Sequence, residues 1–188
     1  GASPIRIAAR AVLRSYPHMA EPLPPKPNVI RPTDDDARAL AQSLLAQAAY
    51  AAIAVIDPAT QTPMVTRIAL ATSVDGAPVT LISDLSHHTR ALRENPACSL
   101  LLGEPGDKGD PLTHPRLTLQ CRAAFVEQTT PEHSALRTRY LVQRPKAQLY
   151  IDFADFRFVT FDIVDAFLNG GFGKAYTLAK ADIIAGLA

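Results

Sequence analysis

The stretch Ser83-Asp84-Leu85-Ser86-His87-His88-Thr89-Arg90 puts hydroxyls, imidazoles and a guanidinium between an apolar run and a helical one. At a helix start these side chains join free backbone N–H groups and the positive end of the helix dipole. Such a set of donors suits a phosphate monoester, which takes charge-assisted hydrogen bonds. The plainer alternative is a helix capped by Ser86 with solvated histidines behind it. Arg67 stands mid-run in Val65-Thr66-Arg67-Ile68-Ala69-Leu70, where an arginine needs a partner or a path to solvent. His87 and His88 are adjacent, point in different directions and have no third ligand nearby, so no metal site is expected. No nucleophile elbow, Walker loop or dinucleotide glycine pattern occurs. Asp84, Asp107 and Asp110 read as solvated loop carboxylates, and His18 and His114 as isolated residues of proline-rich loops.

The elements that must position these groups are legible from periodicity and punctuation. Residues 1–32 are a proline-rich arm, expected to be extended. Thr33 can cap a helix whose first turn carries Asp34, Asp35 and Asp36, followed by Ala37, Leu40, Ala41, Leu44, Leu45 and Ala48 at helical spacing. Strands are predicted over 51–56, 64–72, 78–83, 97–102 and 116–128, then 156–164 and 166–168. The 97–102 run is apolar throughout, which predicts burial on both faces. Val74-Asp75-Gly76 is a hairpin signal. Helices are predicted from Ser86 to Glu94, from Pro131 to Gln143, briefly after Pro145 and from Ala179 to Leu187. Strands joined by hairpin-like turns with helices at the periphery predict a mainly β, α+β chain with a small antiparallel barrel. The domain is expected to run from 33 to 188.

Composition bounds the partners. The 188 residues are 47% apolar and 20% charged, with a formal net charge of +1, which fits a globular fold. No strong field draws such a chain to nucleic acid or to a membrane surface, so any anion site must be local. No secretory leader is visible, and the apolar stretch 44–56 is too short to span a bilayer. Cys98 and Cys121 have no motif spacing and read as reduced core thiols, which points to a cytoplasmic compartment.

Arg67, Ser86-His87-His88, Asn95-Pro96 and Ser99-Leu100-Leu101-Leu102 fall in an order that resembles the pyridoxamine phosphate oxidase-like family of flavin-binding split barrels. Asp110-Pro111-Leu112, Arg116-Leu117-Thr118-Leu119 and Gly170-Gly171-Phe172-Gly173-Lys174-Ala175 are similar to its haem-utilisation branch. The resemblance implies an antiparallel split barrel and a homodimer with flavin mononucleotide at the subunit interface. It implies phosphate contacts from Arg67 and His88, hydroxyl donors from Ser83, Ser86 and Thr89, and a further basic group in His87. Backbone from Thr66 through Arg67 to Ile68 would lie near the flavin ring, with Arg116 close by. The activity implied is that of an FMN-dependent oxidoreductase acting on a small molecule, with no catalytic side chain assigned. Haem binding and a flavin-free dimeric interaction module are the alternatives. The oxidase's phosphate-binding lysine is replaced by about Thr72, and its C-terminal Arg and His motif is absent. The last histidine is His133, so Tyr176 is the candidate iron ligand near the tail, with packing as its other reading.

Overall fold

Asp34, not Thr33, caps the first helix: its carboxylate accepts from the Ala37 N–H at 2.7 Å. Thr33 instead donates to the Thr177 carbonyl, a bond to a segment far along the chain that no local signal reveals. The helix, α1, spans Asp35–Gln47 and buries Ala37, Ala41 and Leu45, one residue per turn on one face. The computed structural model describes residues 30–184, so the arm is described only at its end.

There Ile30–Arg31 forms a short strand, β1. The strands that follow are β2 (Tyr50–Ile56), β3 (Pro63–Ala69), β4 (Ala71–Thr72), β5 (Pro78–Ser83), β6 (Ala97–Leu102), β7 (Arg116–Phe125), β8 (Phe156–Asn169) and β9 (Ala175–Leu178). Helices α2 (His87–Glu94), α3 (Pro131–Gln143) and α4 (Lys180–Ile183) lie between or after them. One sheet runs β1-β9-β8-β7-β6-β2-β3, and β5 pairs with both β4 and β8. Every pairing is antiparallel except β1 with β9, where Ile30 meets Ala175. The Thr80 hydroxyl ties β5 to the end of β3 through the Ala69 carbonyl at 2.6 Å, which brings the sheet back on itself.

Three expectations are corrected. The run predicted as one strand over 64–72 is divided at Leu70, whose N–H donates to the Ala49 carbonyl and whose own carbonyl accepts from Arg144. The two strands predicted over 156–168 are one. Cys121 faces Ile163 while Gln120 faces Asp165, so Val164 is the extra residue of a bulge. That bulge switches the inward parity from Phe161 and Ile163 to Ala166 and Leu168. The 97–102 strand alternates: Cys98, Leu100 and Leu102 are buried, and Leu101 faces out. The inward residues of β2, β6, β7 and β8 form the main core, closed by α1 and α2. A second core packs Leu136 and Tyr140 of α3 against Val79, Leu81 and Phe158.

Gly103 marks the neck of the loop between β6 and β7. Its φ is +99°, and a Cβ there would sit 2.6 Å from the Pro115 carbonyl, so only glycine fits. The Gly170–Lys174 segment closes the β8–β9 hairpin through Gly170 N–H to the Lys174 carbonyl at 2.7 Å.

Candidate functional site

The loop between β5 and α2 is built by hydrogen bonds that use several of the predicted donors. Ser83 donates its hydroxyl to Asp155 at 2.6 Å and accepts from the Leu85 N–H. Thr89 is buried and donates to the Ser83 carbonyl at 2.6 Å. Both hydroxyl protons therefore hold the loop in shape. Asp84 is no solvated carboxylate: it bonds Arg157 at 2.9 Å and Arg93 at 3.1 Å. The Arg157 bond, with help from Arg93, holds its carboxyl below the ordinary value. A group depressed in this way stabilises the fold above its unfolded pKa and loses that contribution as pH falls through the folded value. Chemical denaturation should therefore show stability dropping below about pH 4, with a shallower drop in Asp84→Asn. At neutral pH that variant should be about 1 kcal/mol less stable, a figure discounted for the solvent around the pair.

Ser86 occupies the N-cap position of α2 but makes no side-chain capping bond. The helix start keeps exposed His87 and Arg90 beside it. His88 turns inward. Its Nδ1 lies 2.9 Å from the Thr66 hydroxyl, and its Nε2 is buried with no partner. Burial first, and the neighbouring His87 second, lower the His88 pKa and favour the neutral ring.

Arg67 follows Thr66 on β3, and consecutive strand residues face opposite sides. Thr66 pairs with inward Ile53, and Arg67 with Ala52 on the outer face. Within one chain, then, Arg67 and His88 lie on opposite sides of the sheet and are not brought together. The Arg67 guanidinium lies 5.1 Å from the centre of the Tyr50 ring. Ile68 buries its side chain and offers only backbone. That backbone belongs to the last strand of the sheet order, with β2 on one side only.

Arg116 opens β7 on the same outer face. It donates to the Leu112 carbonyl at 2.9 Å. A cleft of about 230 Å³ collects Tyr50, Arg67, Leu101, Glu104, His114 and Arg116. The His114 ring organises the wall of this cleft: Nδ1 accepts from the Gly106 N–H at 3.1 Å, and Nε2 lies 2.7 Å from the Lys108 carbonyl. Burial, followed by the bond to Glu104, raises the Tyr50 hydroxyl pKa. Among the described residues neither Arg67 nor Arg116 has a salt-bridge partner.

The cleft opens beside an apolar row. Cross-strand registers place Arg67, Ala52, Leu101, Thr118 and Phe167 in one line across β3, β2, β6, β7 and β8. Val65 and Val164 are exposed on the same outer side. Tyr176 is half-buried against the main core, as a packing residue would be. Tyr50 and Glu104 escaped sequence reading because their partners come from registers between strands, and no spacing marks them. Among the described residues no group of three or more His, Cys, Asp or Glu could hold a metal ion. No helix among them is long and apolar enough to cross a membrane.

Comparison with known proteins places the fold. The chain is 36% identical over 135 residues to the non-canonical heme oxygenase HOZ of Arabidopsis thaliana, a chloroplastic protein; the match covers 65% of this chain and 40% of that protein. It is 26% identical to the heme binding protein of Mycobacterium smegmatis, with a TM-score of 0.72, covering 83% of this chain and 62% of that one. The chain thus spans less than two thirds of either relative. A putative pyridoxamine phosphate oxidase from Listeria innocua shares the fold alone, at 12% identity and a TM-score of 0.53, over 70% of this chain and 96% of that one. That fold is the split barrel expected from the sequence. Residues 32–183 match the family described as CREG, beta-barrel, and the chain belongs to that family.

Proposed function

We propose that this chain binds haem at the outer-face cleft, with Arg67 and Arg116 holding the carboxylates of the macrocycle. The observation that carries the reading is two guanidiniums with no salt-bridge partner among the described residues, at the edge of an exposed apolar row. A flat apolar ring bearing two carboxylates matches that donor set, since guanidinium pairs carboxylate in charge-assisted bonds. The two relatives named for haem support it. Tyr50 offers a phenol beside the same cleft. When bound, haem supplies the iron redox chemistry, and the protein supplies binding and orientation. The apolar row also fits a second copy of this chain, which would cover the ligand as in the dimer expected from the sequence.

A flavin reading keeps one specific observation. The start of α2 lacks a side-chain cap, and Ser86, His87 and Arg90 stand there beside free amides. Phosphate of flavin mononucleotide would take those donors, and the edge backbone of Thr66 to Ile68 would meet the ring. Ser83 and Thr89 would contribute only by holding the loop, and His88 Nε2 would first have to swing out of the core.

Titration of the full chain with hemin and, separately, with flavin mononucleotide distinguishes the two. The expected result is a Soret shift saturating at a fixed stoichiometry and no quenching of flavin fluorescence. Flavin quenching with no Soret shift would overturn the haem reading and leave the flavin one standing.

A further inference from the structure

Cys98 and Cys121 are 23 positions apart in sequence, yet they face each other directly across β6 and β7. Both side chains are buried on the inner side of the sheet, and both are free thiols. The Cys98 Sγ lies 3.8 Å from the Cys121 carbonyl oxygen. One rung along, the Ala123 N–H donates to the Pro96 carbonyl at 2.8 Å, so the alternation of the ladder makes the cysteines a hydrogen-bonded pair. Such pairs have Cα atoms about 5.5 Å apart, within the roughly 4.4–6.8 Å that a disulfide spans. Their Cβ atoms lie about 4.5–5.5 Å apart, at or beyond the 3.5–4.5 Å a disulfide prefers. A bridge here must pull the strands together. A bond strained in that way is more readily reduced. A cleft of about 510 Å³ lies over this rung on the outer face, beside Ala54 and Val164, whereas the thiols point to the inner side, so a small uncharged oxidant reaches them as the strands open locally.

We propose that Cys98 and Cys121 are a reversible redox site, which hydrogen peroxide converts to a cross-strand disulfide. One thiolate attacks a peroxide oxygen, the O–O bond breaks, and the sulfur becomes a sulfenic acid as hydroxide leaves. The second thiolate then displaces hydroxide from that sulfur and forms the S–S bond. Two thiols and one hydrogen peroxide give one disulfide and two waters. The sulfurs supply the two electrons, and their protons end in water. The bridge joins two strands of the barrel wall, one of which carries Leu101 to the haem cleft. The site is independent of which ligand that cleft takes.

Burial pushes the Cys98 thiol up to about 12 and the Cys121 thiol higher still. Reaction is therefore slow at neutrality and accelerates roughly tenfold per pH unit between about pH 7 and 9, as the thiolate fraction grows. The full chain is exposed to hydrogen peroxide, unfolded in the presence of a maleimide, and mapped by mass spectrometry. The expected product is the Cys98 peptide joined to the Cys121 peptide, with no maleimide on either, and both labels return after dithiothreitol. Cys98→Ser should keep its Cys121 label under the same exposure. Full labelling of both cysteines in the wild type would overturn the proposal. So would sulfinic or sulfonic acid without the joined peptide, or bridges only between chains.

Discussion

Arg67→Ala combined with Arg116→Gln should weaken hemin binding about a hundredfold, measured by Soret titration. Each guanidinium contributes one charge-assisted contact, and about 1.4 kcal/mol per contact corresponds to a factor of ten. Arg116 should matter more than Arg67, because Arg67 is exposed and its contact is weakened by water. Arg67→Ala is the cleaner of the two variants. Its guanidinium stacks on Tyr50, whereas Arg116 also holds the Leu112 carbonyl of the cleft wall. Esterified hemin, which lacks free carboxylates, provides the control. Its affinity for wild type and variants should be the same, and binding of ordinary hemin should weaken as salt rises. Equal affinity of the double variant and the wild type for ordinary hemin would remove the arginines from the site.

Phe158→Ala should destabilise the fold by about 3–5 kcal/mol, the usual range for deleting a buried aromatic ring. Phe158 is fully buried, and its ring makes edge contacts with His133 at 5.2 Å and Tyr140 at 5.5 Å. It is the meeting point of β5, β8 and α3, opposite Leu81 in the ladder. Few neighbours can move in to fill the space, since those rings are held by their own elements. For a chain of this length the loss corresponds to a drop in melting temperature of about 10 °C, readable by circular dichroism. A change under about 1 kcal/mol would mean that α3 does not pack on the sheet as described.

The termini of β5, β6 and α3 agree with those read from sequence: Pro78–Ser83, Ala97–Leu102 and Pro131–Gln143. Each is bounded by local punctuation. Pro96 precedes β6, Gly103 ends it, and Thr130 caps α3 through the His133 N–H at 3.2 Å. Such signals act within a few residues, so one sequence contains them whole. The class of fold was legible for the same reason, because alternation and turn residues repeat along the chain. The resemblance to flavin-binding split barrels was legible from the order of its motifs, and it led to the right fold.

What only the tertiary structure decided is the company each side chain keeps. Asp84 looked like a loop carboxylate, and its main partner, Arg157, lies 73 residues away. Ser83 and Thr89 looked like ligand donors, and their protons are taken by Asp155 and by the Ser83 carbonyl. β1 and β9 were invisible because they are short and exist by pairing across 145 residues, Ile30 with Ala175. The side of the sheet on which Arg67 lies follows from its register with Ala52, and that register is set where the whole sheet buries its apolar face. Local propensity can write a strand, but a one-residue slip would turn Arg67 inward and Thr66 out. Only the packing of β2 and β6 beneath a shared core excludes that slip, and it thereby separates Arg67 from His88 and gathers Arg67, Arg116 and Tyr50 into one cleft.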